Sequence, residues 1–395
     1  MQRITIFLML ALMSVSAVLP AKGGTKPAVL LDLRFDKGEK PEFVKLNGAA
    51  GYSEGGLALI PGESLVKIDK FYALAERKAC YRVTPSEDAV LWFRSSEGDF
   101  TAELDVPSRK VRILTSPATE ADVPFLEGGK AFDVEVYHIY NKAIVRVSAV
   151  KGSGSVAVEA VNDGPGGHGA GVLQPGFNVG MQWDHYCFGL RSGASALVSR
   201  VTVSSLKKKV RMLIYGDSIT QPEGYFPADK FQFAWTQRII SHLGGNAMSS
   251  GRGGCTIVHV LDYIKNELPY IKTDYVMVTI GTNGGNTEEN LSELVEYILS
   301  QGCIPILNNI PCNESGTQIP CNEVIAKVRA KYGIKGCMFD LVTSLDGDGK
   351  QVDKNQMFFE DYWKEWKWLV YHHPNWVGGD NMFKRTLVDV PEIYE

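Results

Sequence analysis

The chain of 395 residues reads as two folds in series: an all-β antiparallel sandwich, then an α/β unit on a parallel sheet. Three observations predict this. Short alternating apolar runs, broken by Gly, Pro, Asn, Ser and Asp, fill residues 28–205 with no long helical period. After the basic stretch Ser204-Ser205-Leu206-Lys207-Lys208-Lys209 the period changes, and strand-like runs alternate with helical ones. The composition, 45% hydrophobic and 22% charged, is ordinary for a folded protein, and the length allows about two domains at ~150 residues each.

Residues 1–24 stand apart. Gln2 and Arg3 precede an apolar run from Ile4 to Met13, and the small residues Ser14, Ser16, Ala17 and Ala21 follow. A short basic start, an apolar middle and a small-residue exit form a Sec-type signal peptide, cleaved after Ala17 or Ala21. This predicts a secreted or periplasmic protein. No cysteine sits at the exit to carry a lipid anchor. No later stretch has ~20 uninterrupted apolar residues, so no membrane span is expected. A formal net charge of -4 offers no basic field for nucleic acid.

Residues 25–206 carry the sandwich. Runs such as VLLDLRF, FTAELDV and FDVEVYHIY alternate apolar and polar residues, and residues 137–143 read as a hairpin crossing. Residues 162–178 form a long Gly/Pro loop without the Gly-Lys-Ser/Thr of a phosphate loop, and His168 reads as a loop residue. The strand pattern resembles lectin-like jelly rolls of the concanavalin or laminin-G type. That resemblance implies either a sugar-binding module or a purely structural one.

Residues 207–395 carry the α/β unit. Strands are expected at 210–215, 246–250, 275–280, 304–310 and 337–342. Helices are expected at 231–243, 258–268, 288–301 and 322–332, the last stopped by Gly333. Right-handed crossovers then put all strand ends on one side, where open parallel sheets bind ligands. Seven cysteines are present. Cys312–Cys321 and Cys80–Cys187 disulfides are one reading, permitted by export; buried unpaired thiols are the other. The odd count leaves at least one thiol free.

Four segments carry chemistry. Ser218 follows the first expected strand in Gly216-Asp217-Ser218, so its hydroxyl stands at a strand-to-helix turn. A serine nucleophile needs a base and donors for an oxyanion. Gly251-Arg252-Gly253-Gly254-Cys255-Thr256 follows the second strand and lets backbone approach a ligand closely. Gly281-Thr282-Asn283 follows the third strand and supplies a side-chain amide. His372-His373-Pro374-Asn375 lies near the C-terminus and supplies an imidazole.

In this order the segments resemble the SGNH (GDSL-like) hydrolase family over residues 210–386. The resemblance implies a flavodoxin-like three-layer fold, Ser218 as nucleophile and His373 as base. It also implies an oxyanion hole from the Ser218 and Gly254 N–H groups and the Asn283 amide. Two departures stand. The family's acid three residues before the histidine is Val370 here. Glu360, Asp361 or Glu365 swinging in, a Ser-His dyad braced by a backbone carbonyl, and a weakened or dead site all remain open. Ser249 replaces the Asn often found in the second block, which touches only local turn bracing.

Trp363, Trp366, Trp368 and Trp376, with Tyr362 and Tyr371, cluster around His373 as a platform for sugar rings or as core. Asp346-Gly347-Asp348-Gly349-Lys350 begins like a calcium loop, but position twelve is Met357 rather than Glu, so it reads as an ordinary turn. No metal-ligand spacing appears, and no cofactor is implied. The leading expectation is an exported serine esterase that removes acetyl groups from a carbohydrate, with a glycan or small-molecule ester as partner. The alternatives are a lipase or thioesterase, and a glycan-binding protein whose hydrolase site has decayed.

Overall fold

The computed structural model describes residues 27–48, 50–62, 65–95, 100–114, 118–140, 142–161, 186–221, 231–357 and 371–395. The leader at 1–24, the loop at 162–178 with His168, and Glu360, Asp361, Tyr362, Trp363, Glu365, Trp366, Trp368 and Val370 lie outside the described residues.

The first part of the chain is two antiparallel sheets packed face to face. One sheet runs, in spatial order, Ser155–Val161, Lys142–Ala149, Phe132–Ile139, Glu76–Pro85, Ala196–Ser205, Gly56–Leu59 and Ala50–Ser53, with Ala28–Arg34 also paired to Ala196–Ser205. The other runs Thr119–Asp122, Lys110–Ile113, Thr101–Asp105, Val90–Ser95, Tyr186–Ser192, Val66–Ile68 and Val44–Lys45. Alternation in sequence becomes alternation in burial: every second residue of Glu76–Pro85 points inward. Tyr81 from that strand meets Phe93 and Phe188 of the opposite sheet, with ring centroids 4.8 and 5.4 Å apart. The expected hairpin forms, with Ile139 paired to Lys142.

The second part is a parallel sheet in the order Ala247–Gly251, Met212–Gly216, Tyr275–Thr279, Ile304–Leu307. Its strands are almost wholly buried, as in a sheet covered on both sides, with Ser249 and Ser250 as buried polar residues of the Ala247–Gly251 strand. Leu213, Tyr215, Val276 and Val278 share a buried cluster with Val260, Ile264, Leu291 and Leu294 from the Ile257–Glu267 and Glu288–Ser300 helices. Met212, Ile214 and Met277 pack instead with Trp235, Ile239 and Met382 from the Trp235–His242 and Trp376–Asp389 helices. Three layers result.

One expected strand is absent, and three further features were unread or left open in the sequence. The fifth strand at 337–342 does not form. The sheet edge continues only through a bridge between Ile306 and Lys335, with Asn309 N–H donating to the Cys337 carbonyl at 2.9 Å. The chain then turns into the short Phe339–Thr343 helix, because side chains satisfy its backbone instead. Asn308 Oδ1 accepts from Cys337 N–H at 2.8 Å, and Thr343 Oγ1 donates to the Phe339 carbonyl at 2.7 Å. The helix Trp376–Asp389 lies outside the expected helices. Its Gly378-Gly379 pair weakens helix propensity, yet a Cβ on Gly379 would stand 2.5 Å from the Phe233 carbonyl oxygen. The basic stretch at 204–209 is anchored: Lys207 Nζ donates to Glu76 Oε1 at 2.7 Å and to the carbonyls of Gly245 and Ala247. Finally, of the two cysteine readings the unpaired one holds: neither disulfide is present, and all seven cysteines are free thiols. Cys80 and Cys187 sit in different sheets of the sandwich. Alkylation of the denatured, unreduced mature chain is therefore expected to add seven labels, read by intact mass; a product two labels short would contradict this arrangement.

Candidate active site

Ser218 lies two residues past the fully buried Met212–Gly216 strand. The turn is tight because Gly216 leaves no space: a Cβ there would sit 2.1 Å from Thr220 Oγ1 and 2.3 Å from the Thr279 carbonyl oxygen. The Asp217 carbonyl accepts from Thr220 and Gln221 N–H, both at 3.1 Å, and Asp217 Oδ1 accepts from Ile219 N–H at 3.0 Å. Trp235 Nε1 donates to the Ile219 carbonyl at 2.8 Å, pinning the far side. Burial pushes the Asp217 carboxyl from 3.8 up to about 7, opposed by N–H groups of Ile219, Gly281 and Thr282.

His373 Nε2 lies 2.7 Å from Ser218 Oγ, across 155 positions of sequence, and both residues are buried. The segment that delivers the imidazole is firmly set. Tyr371 adopts a left-handed φ of 61°, unusual for a non-glycine residue. Asn375 N-caps the Trp376–Asp389 helix, its Oδ1 accepting from Val377 and Gly378 N–H at 2.9 and 3.1 Å. Its Nδ2 donates to the Asn355 carbonyl at 2.8 Å, and its backbone N–H to the Gln356 carbonyl at 2.9 Å. Where Nδ1 carries the ring proton, Nε2 is free to accept from the serine hydroxyl.

Gly254 and Asn283 come to the same sheet edge. Gly216 is paired with Gly251 on one side and Thr279 on the other, so the segments after all three strands emerge together. Gly254 takes a φ of +77°, a conformation L side chains rarely adopt, in a turn closed by Cys255 N–H to the Arg252 carbonyl at 3.2 Å. That turn is stitched to the serine turn: Gly253 N–H donates to Gln221 Oε1 at 2.7 Å, and Arg252 N–H to the Gly216 carbonyl at 3.1 Å. Asn283 is exposed and donates one Nδ2 hydrogen to the Cys255 carbonyl at 2.9 Å, which leaves a second amide hydrogen. Among the described residues the N–H groups of Ser218 and Gly254 have no hydrogen-bond acceptor. Ser249 braces the turns, its Oγ donating to the Thr220 carbonyl at 3.4 Å.

All four predicted site residues thus lie at one end of one sheet, and two touch. Sequence reasoning missed Gln221, Trp235 and the capping role of Asn375. An Asn ahead of an apolar period is a helix-start signal, so Asn375 was findable; Gln221 and Trp235 carried none. A hydroxyl bonded to an imidazole, beside unpaired N–H groups, is equipped to attack an acyl carbon and hold the resulting oxyanion.

No protein-family model and no curated protein sequence matches the chain. Among solved structures it is similar to the psychrotrophic esterase EstA from Pseudoalteromonas sp. at 13% identity and TM-score 0.36, covering 47% of this chain and 98% of that one. A GDSL-like lipase from Bacteroides thetaiotaomicron is 15% identical at TM-score 0.34, covering 45% and 85%. Arcelin-5, a lectin-like defense protein from Phaseolus vulgaris, is 12% identical at TM-score 0.34, covering 44% and 97%.

Two outcomes follow from the site's supports. Because the Asp217 carboxyl is raised in the folded chain, its stabilising contribution is complete below its unfolded value and is lost as pH rises through about 7. Asp217→Asn should therefore lose less thermal stability than the parent between about pH 5 and about pH 8, measured by melting curves; parallel slopes would contradict it. Asn375→Ala removes both cap bonds and should cost about 1 kcal/mol, read from the midpoint of urea unfolding, where no shift would speak against the cap.

Proposed function

We propose that this chain is an exported serine esterase that removes acetyl groups from carbohydrate. The observation that carries the reading is the 2.7 Å contact between Ser218 Oγ and His373 Nε2. In the proposed cycle His373 takes the Ser218 proton as Oγ attacks the ester carbonyl. The N–H groups of Ser218 and Gly254 and the free Asn283 amide hydrogen receive the oxyanion, each such donor contributing on the order of 3 kcal/mol. His373 returns its proton to the leaving alcohol, and water, deprotonated by the same imidazole, releases the acid. The reading includes a leader at 1–24, a sandwich domain at 25–206 and an SGNH-type hydrolase domain at 207–395. It takes export from that leader.

Carbohydrate is favoured by what stands beside the imidazole. Trp376 is 42% exposed three residues after His373, at the start of a helix. Aromatic side chains of this kind stack on sugar rings.

The test is kinetic. Ser218→Ala should lower turnover of a chromogenic acetyl ester by at least about a thousandfold while its circular dichroism matches the parent. Acetylated sugars should be cleaved faster than long-chain esters. Faster cleavage of long-chain esters would reassign the chain to the lipases, and a folded parent that cleaves no ester would leave a glycan-binding protein.

A further inference from the structure

Residues 71–75, Phe71-Tyr72-Ala73-Leu74-Ala75, are buried between the sandwich and the parallel sheet. This strap runs into the Glu76–Pro85 strand of the sandwich. Its backbone N–H groups at Ala73, Leu74 and Ala75, however, donate to the strand–turn–helix unit that carries Gly254. Ala75 N–H donates to the Ser249 carbonyl at 2.9 Å. Ala73 and Leu74 N–H both donate to Glu267 Oε1. Asn266 Nδ2 donates to the Phe71 carbonyl at 3.2 Å, and the Phe71 ring meets Tyr263 edge-on at 5.1 Å.

Glu267 is the last residue of the Ile257–Glu267 helix and is wholly buried. Its second oxygen, Oε2, accepts from Ser250 Oγ at 2.8 Å. Ser250 lies on the Ala247–Gly251 strand, four residues before Gly254. The Ser250–Glu267 bond therefore ties the strand entering the Gly254 turn to the far end of the helix leaving it. The strap holds Glu267 directly and the strand through the Ser249 carbonyl, next to Ser250. On the same helix Tyr263 Oη donates to the Gly216 carbonyl at 2.9 Å, two residues before Ser218. Arg77 Nη1 donates to the Leu74 carbonyl at 2.6 Å, which fixes the strap from the sandwich side.

We infer that Glu267 is a positioning residue for the esterase reaction: through Ser250 it couples the sandwich strap to the turn that presents the Gly254 N–H. The inference rests on the proposed esterase reading. It gives the sandwich a part in the chemistry, since the strap sets the register of the strand that ends at the oxyanion turn. The cost of error is steep, because displacement of about 1 Å at a catalytic group lowers rate by up to about a hundredfold.

The experiment uses the full chain and two near-isosteric variants, Ser250→Ala and Glu267→Gln. Acetyl-ester kinetics are measured per folded molecule, with the folded fraction taken from a urea titration. A bond that only stabilises the fold would lower that fraction and leave kcat per folded molecule unchanged. Positioning predicts that kcat per folded molecule falls about tenfold while KM stays within about twofold. A Ser250→Ala protein with the parent's kcat overturns the inference, and that variant decides alone if Glu267→Gln does not fold. A parent without esterase activity removes the functional reading as well, which separates the two failures.

Discussion

The contact between Ser218 and His373 is the constraint on which the rest of the site depends, and it cannot hold itself together. A single hydrogen bond contributes about 1 kcal/mol net, too little to fix two groups 155 residues apart. The scaffold on each side does that. Trp235 holds the serine turn through the Ile219 carbonyl, and Trp235 packs with Met382 of the helix that follows His373. Arg238 on the first of these helices pairs with Asp380 on the second at 2.8 Å. Gly379 lets the second helix close on the Phe233 carbonyl. The serine turn is pinned by one helix and the histidine leads into another, and those two helices pack on each other on one face of one sheet.

Buried carboxyls serve this scaffold as acceptors for irregular backbone. Asp217 takes the Ile219 N–H and Glu267 takes those of Ala73 and Leu74. An unpaired N–H in these places would carry its full desolvation cost. The same burial pushes both carboxyls up to about 7, so each is held near the point of protonation. His138, buried near Arg77 and Arg252, is driven the other way, well below its usual range, first by burial and then by those two cations. Polar groups at this junction are fully enclosed, which ties their protonation to the packing of sandwich on sheet.

Much of this was legible in the sequence where a period repeats. Alternation marked the sandwich strands, and apolar runs marked three of the parallel strands, because both faces of that sheet are covered. The glycine, asparagine and histidine segments were legible because their order along the chain matched strand ends on one edge. What escaped had no period. The fifth strand failed because Asn308 and Thr343 side chains offered its backbone better partners than a ladder. The last helix was hidden by Gly378 and Gly379, kept for close approach rather than propensity. Gln221, Ser250 and Glu267 matter through contacts made at long range, which no local window contains.

The claim at the centre of this account is that Ser218 is an activated nucleophile. A fluorophosphonate probe reacts with such a serine and leaves a covalent adduct that peptide mass spectrometry can place. The account predicts one adduct per chain, on Ser218, and its loss in the His373→Ala protein. An unlabelled Ser218 in the folded parent, or equal labelling without the imidazole, would contradict it.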